Sequence, residues 1–367
     1  MKKRVVVGMS GGVDSSVAAL LLRNAGHDVM GVTMSIYSGS PAEGPVPDSC
    51  YGPGEPGDIA QARQVSARLG IPHQVIDLRG EYRSMVLDYA RDEYLGGRTP
   101  NPCVMCNQKI KFGMLLEKLS ALPGPGFDVF ATGHYARVVR VPQSGRWAIQ
   151  TAVDPAKDQS YFLCMLSQEQ LGRIHFPLGG MRKAEVREMA RSAGLLNHDR
   201  PESQDFAFGG YKSVVSAPEN PGPITDTSGH VIGRHKGIWG YTIGQRKGLG
   251  VGGGEPLYVA RLDAGTNTVV AGPESALYRR ELTARRVNWA GIEPPAVAAE
   301  PPAAAAEPLR LAVKIRYRSP AVPAVVTPGP GGTAHVAFDE PQRAIARGQW
   351  AVFYNGDILV GGGVIAE

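Results

Sequence analysis

The chain has 367 residues, of which 43% are hydrophobic, and a formal net charge of +5. Its length allows two or three domains, its apolar runs are far shorter than the ~20 residues of a membrane helix, and its four cysteines exclude a disulfide scaffold. The apolar run after the basic N-terminus is short and ends in a Gly/Ser loop, so we predict no signal peptide. We expect a soluble cytoplasmic protein with no membrane partner.

The first predicted strand, residues 4–7, leads into a Ser/Gly-rich loop and then into a predicted helix over residues 14–25. Backbone N–H groups of such a loop, together with the positive end of the helix dipole, form an anion site. No Gly-Lys-Ser/Thr follows, so the loop is not a Walker A motif. The pattern indicates phosphate binding, and a Gly-rich turn without a ligand is the alternative.

Strand and helix patterns continue to alternate up to about residue 200. This alternation predicts a parallel sheet covered by helices on both faces, with ligands bound at the carboxyl ends of the strands. The loop at residues 10–15 and the segment 132–134 both follow strands, so we expect them to share one rim. The further predicted strands are 29–37, 74–78 and 129–132, and the further predicted helices are 56–69, 82–95 and 109–119.

From about residue 203 onward, Gly and Pro separate many short strand-like segments, which predicts a small central domain and a C-terminal β-barrel. An Ala/Pro-rich stretch over residues 294–308 is typical of an extended loop. We expect three domains, over residues 1–203, 204–280 and 281–367. The clearest predicted strands are 257–262, 268–271, 282–289, 309–317, 334–338, 350–354 and 358–365.

A Cys-x-x-Cys pair, Cys103 and Cys106, lies in a Pro/Asn-rich turn between two predicted helices. Cys106 is predicted near a helix start, where a thiol has a lowered pKa and suits a nucleophile. A structural zinc half-site and a thioredoxin-type pair are alternatives. The neighbouring phosphate loop favours sulfur-transfer or iron–sulfur chemistry instead.

Basic residues gather in two windows that contain no acidic residue. The first spans residues 234–247 and the second spans residues 310–318. Such clusters suit the phosphate backbone of a nucleic acid, whereas a solvated protein face is the alternative.

The segment Ser10 to Ser15 resembles the pyrophosphate loop of the PP-loop ATP-pyrophosphatase superfamily. From end to end, the chain resembles the bacterial tRNA-specific 2-thiouridylases of the MnmA type. The resemblance implies a PP-loop catalytic domain, a central tRNA-binding domain and a C-terminal barrel. The matching blocks are residues 8–16, 97–112, 131–135, 157–163, 241–250, 313–318 and 348–354.

The resemblance implies an enzyme, a transferase that uses ATP to adenylate the C2 carbonyl oxygen of the wobble uridine of tRNA. A cysteine then delivers sulfur and AMP leaves. The implied acceptors are the lysine, glutamate and glutamine tRNAs, and the implied sulfur donor is a cysteine desulfurase or a sulfur-relay protein. Mg²⁺ is expected on the phosphates, with help from Asp14. Another PP-loop ligase and a non-catalytic tRNA-binding protein with a vestigial nucleotide site are the alternatives.

The resemblance also assigns roles to individual residues. Cys106 is implied to attack the activated base, Cys103 to approach it, and Met34 to lie against the adenine. The remaining nucleotide-binding residues are Gly8, Met9, Ser10, Gly11, Gly12, Val13, Asp14, Ser15 and Gly133. The remaining tRNA-binding or wall-forming residues are Asn101, Pro102, His134, Lys157, Asp158, Gln159, Arg316, Tyr317 and Gln349.

One departure from the family pattern puts the sulfur route in question. Many members carry a second cysteine in a Ser-Gln-x-x-Cys-Phe segment, where this chain has Ala207, whereas Cys103 stands where some relatives have an acidic residue. In one hypothesis, Cys50, Cys103 and Cys106 ligate a [4Fe–4S] cluster whose fourth iron holds the transferable sulfide. In the other, Cys103 or Cys106 carries a persulfide and the pair resolves as a disulfide. The gained cysteine beside Cys106 favours the cluster.

Overall fold

The computed structural model describes residues 1–40, 49–123, 126–195, 197–200, 205–252, 255–295 and 307–367. These residues form a parallel α/β domain, a small central sheet and a C-terminal β-barrel, which confirms the predicted fold class. Within these ranges, every helix is too short or too polar to cross a membrane.

The strands of the described residues are numbered along the chain. They are β1 (Arg4–Gly8), β2 (Asp28–Ser35), β3 (Ser49–Tyr51), β4 (His73–Asp77), β5 (Val129–Thr132), β6 (Arg137–Arg140), β7 (Trp147–Gln150), β8 (Ile174–His175), β9 (Asp205–Ala207), β10 (Gly222–Thr225), β11 (Val231–His235), β12 (Tyr258–Asp263), β13 (Thr268–Gly272), β14 (Tyr278–Trp289), β15 (Leu309–Lys314), β16 (Val322–Gly329), β17 (Thr333–Arg343), β18 (Trp350–Asn355) and β19 (Ile358–Ile365).

The helices are numbered in the same way. The α-helices are α1 (Val13–Asn24), α2 (Glu55–Leu69), α3 (Arg79–Tyr82), α4 (Asp88–Leu95), α5 (Pro102–Met105), α6 (Leu115–Ser120), α7 (Gln168–Gly172), α8 (Lys183–Ser192) and α9 (Tyr211–Val215). Two segments wind as π-helix, Arg83–Leu87 and Cys106–Met114. Short 3₁₀ turns occupy Ser160–Leu163, Ile238–Gly240, Glu274–Leu277 and Pro330–Gly332.

The parallel sheet has the strand order β4-β2-β1-β5-β8 and is covered on both faces. Successive side chains of a strand point to opposite faces. Val5 and Val7 of β1 therefore pack against α1, α2 and α8, whereas Val6 packs into the core that also holds Phe112 and Phe130. This arrangement places the β1–α1 loop and the end of β5 at the same carboxyl edge.

The barrel closes because β14 pairs both with β17 and with β19, at the two ends of the series β17-β16-β15-β18-β19. The hairpin of β6 and β7 adds to β19, so strands from the first half of the chain extend the barrel sheet. Sequence patterns do not predict this pairing, because the partners lie about two hundred residues apart. The Tyr161 hydroxyl also donates to the backbone oxygen of Trp350, at 3.0 Å, so the barrel and the α/β domain share a core.

The central sheet has the order β11-β10-β13-β12 and buries a small core of its own. A separate two-stranded parallel sheet joins β3 to β9 and pairs Tyr51 with Ala207. This second pairing brings the segment after β2 next to the segment that departs from the family pattern.

The helix that follows the Cys-x-x-Cys motif begins earlier than the sequence predicts. The helical run starts at Pro102, continues as π-helix from Cys106 and ends at Ser120. The backbone N–H of Cys106 already bonds within this run, so the thiol does not lie at a helix N-terminus. Cys106 thus lies near the start of the helical run, as predicted, but one turn inside its first residue.

Candidate active site

The loop between β1 and α1 is shaped by its own hydroxyl groups. Ser15 Oγ donates to the backbone oxygen of Gly12 at 3.1 Å and accepts from the backbone N–H of Ser10 at 3.2 Å. Asn197 ties the loop from outside, because its Nδ2 donates to the backbone oxygen of Gly11 at 2.8 Å. Gly12 caps α1 in extended conformation, so the first N–H groups of a twelve-residue helix are available to an anion.

Two glycines allow close backbone approach at this loop. Gly11 has a φ of +75°, and a Cβ there would lie 2.6 Å from the backbone oxygen of Asp58. A Cβ on Gly133 would lie 2.7 Å from the backbone nitrogen of Ser15. The loop and the end of β5 therefore pack backbone to backbone, which only glycine permits.

A cavity of about 380 Å³, here called the nucleotide cavity, opens above this loop. Its volume is that of a small-molecule site. Gly11 shapes the loop from behind and is absent from the lining, whereas the other predicted nucleotide residues line the cavity: Gly8, Met9, Ser10, Gly12, Val13, Asp14, Ser15, Met34 and Gly133.

Asp14 is held by two groups that the sequence analysis did not identify. Both carboxylate oxygens accept from the buried Lys183 ammonium at 2.7 Å, and one accepts from the Tyr135 hydroxyl at 2.8 Å. Opening this ion pair would leave the charge of the buried Lys183 ammonium unpaired, which is costly. The geometry therefore does not favour Asp14 as a Mg²⁺ ligand.

The other carboxylates that line the nucleotide cavity also have protein partners. Glu55 accepts from the backbone N–H of Ile36 and of Tyr37, at 2.6 and 2.8 Å, and Asp58 pairs with Arg200 at 2.5 Å. Each carboxylate among the described lining residues is thus already hydrogen-bonded or ion-paired within the protein. The phosphates of a bound nucleotide remain as the oxygen ligands that Mg²⁺ prefers.

A second cavity of about 900 Å³, here called the cysteine cavity, adjoins the first. The helical run from Pro102 supplies Cys103 and Cys106, and the barrel supplies Lys314, Tyr317 and other residues. The residues that line both cavities form a shared wall: Asp14, Cys50, Tyr82, Cys106, Lys111, His134 and Gln159.

Burial dominates the ionisation of the two motif cysteines. It raises the pKa of the Cys103 thiol to about 12 and that of the Cys106 thiol to about 11, although the positive charge of Lys111 lowers both. The expectation of a lowered pKa at Cys106 was therefore wrong for the resting protein. Lys111 is the cation whose charge partly offsets the effect of burial on this thiol.

The three cysteines of the cluster hypothesis line one cavity, and Tyr82 interacts electrostatically with all three. In the described part of the chain, however, no group of three or more His, Cys, Asp or Glu side chains is arranged to hold a metal ion. Cys50, Cys103 and Cys106 thus share a cavity without forming a preassembled metal centre.

Ala207 lies on β9, in register with Tyr51 of β3. Ala207 is buried and does not line either cavity, whereas Cys50 and Phe206, at the centres of the two paired strands, line the cysteine cavity. Residues 202–204 of the departing segment, and the side chain of Asp205, lie outside the described residues.

His134 is a buried residue of the shared wall. Its Nδ1 lies 2.6 Å from Thr132 Oγ1, and its ring packs against Phe112 and Phe176. Burial holds the pKa of His134 well below its usual value. The imidazole is therefore neutral at neutral pH and offers a hydrogen bond rather than a charge.

Lys157, Asp158 and Gln159 lie together on the cysteine cavity. Gln159 Oε1 accepts from the backbone N–H of Tyr135 at 2.8 Å, and Asp158 accepts from the Ser160 hydroxyl at 2.7 Å. Gln159 and Asp158 thus order the wall, as the resemblance allows. Pro102 and Cys103 line the same cavity.

The predicted barrel residues divide into two groups. Tyr317 lines the cysteine cavity and lies 4.4 Å, between ring centroids, from Phe162. Arg316 instead donates to the backbone oxygen of Ala344, and Gln349 Nε2 donates to the backbone oxygen of Thr99 at 2.9 Å. Arg316, Gln349 and Asn101 line neither cavity.

The two basic windows also divide. Arg234, Arg246 and Lys247 are exposed on the central part, whereas His235 is buried and its Nε2 lies 2.9 Å from the backbone oxygen of Asn267. In the second window, Arg310 of β15 pairs with Asp339 of β17 on the outer surface of the barrel. Only part of each window therefore suits a phosphate backbone.

Sequence reasoning missed Lys111 and Lys183. Lys183 contacts a carboxylate 169 positions away, and no local pattern marks such a partner. Lys111 lies inside a block that matches the family, but its approach to Cys106 depends on helix winding that the sequence does not reveal.

Three family models match consecutive parts of the chain. The tRNA methyl transferase HUP domain matches residues 3–210, the tRNA methyl transferase PRC-barrel domain matches residues 215–273, and the aminomethyltransferase beta-barrel domain matches residues 279–365. They follow the order of the α/β domain, the central sheet and the barrel.

Curated relatives named tRNA-specific 2-thiouridylase MnmA align with nearly the whole chain. The relative from Endomicrobium trichonymphae is 43% identical over 366 residues, which cover 99% of this chain and 98% of the relative. The relative from Chloroflexus aurantiacus is 46% identical over 370 residues, with the same coverage. The relative from Trichormus variabilis is 43% identical over 372 residues, which cover 100% of this chain and 99% of the relative. The chain therefore belongs to the family of tRNA-specific 2-thiouridylases.

Proposed function

We propose that this chain is a transferase that 2-thiolates the wobble uridine of tRNA at the expense of ATP. The observation that carries the proposal is the shared wall between the nucleotide cavity and the cysteine cavity, which includes Cys106 and His134. A base in the cysteine cavity would present its C2 oxygen to the nucleotide and its C2 carbon to the thiol. Anticodon bases are single-stranded, so extruding one costs little.

The first step is adenylation. The C2 oxygen of uracil attacks the α-phosphorus of ATP, the bond to the β-phosphate breaks, and pyrophosphate leaves. The N–H groups at the start of α1 would hold the departing phosphates, because they face the nucleotide cavity beside Gly12 and Ser15. The product is an AMP ester at C2, which turns a poor leaving group into a good one.

The second step is sulfur transfer, for which we propose the persulfide route. The three candidate cluster cysteines do not form a preassembled metal centre, whereas Cys103 and Cys106 lie three residues apart on one helical run and line the same cavity. The terminal sulfur of a Cys106 persulfide attacks C2, and AMP leaves. The Cys103 thiolate then attacks the Cys106 sulfur, which releases the thiocarbonyl and leaves a disulfide for a dithiol reductant.

The partners follow from the same proposal. We assign residues 1–203 to catalysis, and residues 204–280 and 281–367 to holding tRNA, with the lysine, glutamate and glutamine tRNAs as acceptors. Exposed cations such as Arg246 and Lys247 would bind phosphates. A cysteine desulfurase or a sulfur-relay protein would supply the persulfide.

The test is a reaction of the purified full chain with a tRNA acceptor, ATP and a sulfur donor, followed by mass spectrometry of the nucleosides. We expect 2-thiouridine, AMP and pyrophosphate. Cys106→Ser should stop thiolation but keep pyrophosphate release, and Cys164→Ser, at a buried cysteine outside both cavities, is the matched control. ADP and phosphate as stoichiometric products would refute the assignment.

The sulfur route has a separate test. Anaerobically purified protein is analysed for iron and acid-labile sulfide, and Cys103→Ser and Cys50→Ala are assayed for turnover. The persulfide route predicts full activity without iron and near-normal activity for Cys50→Ala. It also predicts that Cys103→Ser releases little 2-thiouridine even in a single turnover, because Cys103 frees the thiolated base from Cys106. Stoichiometric iron together with an inactive Cys50→Ala protein would favour the cluster.

A further inference from the structure

Lys111 lies where the nucleotide cavity meets the cysteine cavity and lines both. In the described residues no carboxylate forms an ion pair with it. Two other cations near the nucleotide cavity have acidic partners: the buried Lys183 pairs with Asp14 at 2.7 Å, and Arg200 pairs with Asp58. Among the described residues, the positive charge that Lys111 brings to the shared wall is therefore uncompensated.

The winding of the helix explains how Lys111 reaches this position. It follows Cys106 by five residues, and in an α-helix that spacing would turn the two side chains about 140° apart. The segment Cys106–Met114 is π-helical, with i→i+5 hydrogen bonds and a wider turn. The wider turn returns Lys111 toward the face of Cys106, and π-helical segments are frequent at functional sites.

We propose that Lys111 is a catalytic residue that neutralises two anions at the shared wall: the sulfur anion on Cys106 and the α-phosphate of the nucleotide. The first half concerns the resting protein. The second half rests on the proposed adenylation. Neither half involves a covalent bond to the lysine.

The groups around the Cys106 thiol leave this role to Lys111. The titratable neighbours that interact with the thiol are Lys111, Cys50, Cys103 and Tyr82. Burial raises the pKa of Cys103 and of Tyr82, so both are neutral at neutral pH. His134 on the same wall is also neutral, because burial lowers its pKa. Lys157, Lys314 and Arg318 also line the cysteine cavity, but of the described cations only Lys111 lies on the shared wall with Cys106 and lowers the pKa of its thiol. A thiolate at Cys106 thus depends mainly on Lys111 for compensation.

The first experiment measures the rate of Cys106 alkylation by iodoacetamide against pH, in protein without ATP or tRNA. Tandem mass spectrometry separates Cys106 from Cys103. The variants are Lys111→Met and Lys111→Arg, and the matched control is Lys109→Met, since Lys109 is exposed on the same segment and lines neither cavity. At a pH below the thiol pKa, Lys111→Met should slow alkylation on the order of tenfold.

Lys111→Arg should stay near the wild-type rate, and Lys109→Met should match it. A wild-type pH profile in Lys111→Met would overturn the role toward Cys106. Thermal melting checks that each variant folds, and Lys111→Gln replaces the methionine variant if that one does not. The assay contains neither ATP nor tRNA, so its result is independent of whether the wild type thiolates tRNA.

The second experiment tests the phosphate half in wild-type protein that adenylates tRNA. Pyrophosphate release in a single turnover should fall tenfold or more in Lys111→Met, because the α-phosphate would lose one stabilising charge contact in the transition state. Lys109→Met should release pyrophosphate at the wild-type rate. Unchanged release in Lys111→Met would overturn the role toward the nucleotide.

Discussion

The nucleotide cavity and the cysteine cavity are built in different ways. The phosphate loop of the first is one short stretch whose hydroxyls and backbone groups bond to each other, as in the contact of Ser15 Oγ with Gly12. The second combines the helical run from Pro102, strand β3 and the barrel segment near Tyr317. A local loop tolerates changes elsewhere, whereas an assembled cavity depends on every part that positions it.

The ion pair of Lys183 with Asp14 is the point where the local loop depends on the rest of the fold. We expect Lys183→Met to lower the free energy of unfolding by about 3 kcal/mol, because a partly buried carboxylate loses its partner. Urea unfolding measures the effect. Lys118→Met is the control, since its pair with Glu81 is more exposed and should be worth less than about 1 kcal/mol. Equal losses in both variants would contradict the special role of the pair.

The loop backbone can be broken directly with Gly11→Ala. The substitution forces a φ of +75° on alanine and places its Cβ 2.6 Å from a backbone oxygen, so the loop must shift. We expect pyrophosphate release to fall about a hundredfold, because a shifted loop would misplace the phosphates of ATP relative to the attacking oxygen. Gly26→Ala has a similar φ, +81°, but no atom within 4 Å, and should keep full activity. Activity lost in both variants would point to general destabilisation.

The two cavities should also differ in pH dependence. Below its pKa of about 11, the thiolate fraction of Cys106 grows about tenfold per pH unit. We therefore expect sulfur uptake from a small-molecule persulfide to rise steeply between about pH 8 and 10. ATP affinity, which depends on backbone groups, should stay nearly constant over that range. A flat rate of sulfur uptake would contradict the raised pKa of the Cys106 thiol.

Gln349 tests the assembled character of the cysteine cavity. It lines neither cavity, yet its Nε2 donates to the backbone oxygens of Thr99 and Pro100, at 2.9 and 3.2 Å, just before the motif. Gln349→Leu should slow single-turnover thiolation by about tenfold, since two hydrogen bonds that hold the turn are lost. The control is Gln342→Leu, at a half-buried position of β17 whose Nε2 donates to the nearby backbone oxygen of Glu340, and it should have no effect. A wild-type rate of thiolation in Gln349→Leu would show that the turn before the motif keeps its conformation without these two hydrogen bonds.

The smallest effect concerns tRNA affinity. Arg246 and Lys247 are exposed, and each change to alanine should flatten the slope of log K against log salt by about one unit. Arg310→Ala is the control, because Arg310 is already paired with Asp339 and should leave the slope unchanged. If the slope of log K against log salt stays constant after both changes, Arg246 and Lys247 face solvent and do not contact tRNA.

The sequence alone determined the phosphate loop and the alternation around it. The backbone N–H groups and hydroxyls that form an anion site of this kind lie within a few consecutive residues, and strand and helix periods are local properties. Val5, Val6 and Val7 alternate between two cores, as a strand buried on both faces requires. The family block that contains Cys103 and Cys106 could also be identified from the sequence, because it is one continuous stretch of the chain.

Only the tertiary structure decided what surrounds those groups. Lys183 meets Asp14 across 169 positions, and Gln349 reaches Thr99 across 250. The raised pKa of Cys106 comes from burial, which no motif encodes, and the place of Lys111 depends on a π-helical turn. Neighbouring residues in the chain do not reveal which distant residues will come into contact. They also do not reveal how far folding will remove a side chain from water, and both decide the chemistry of this site.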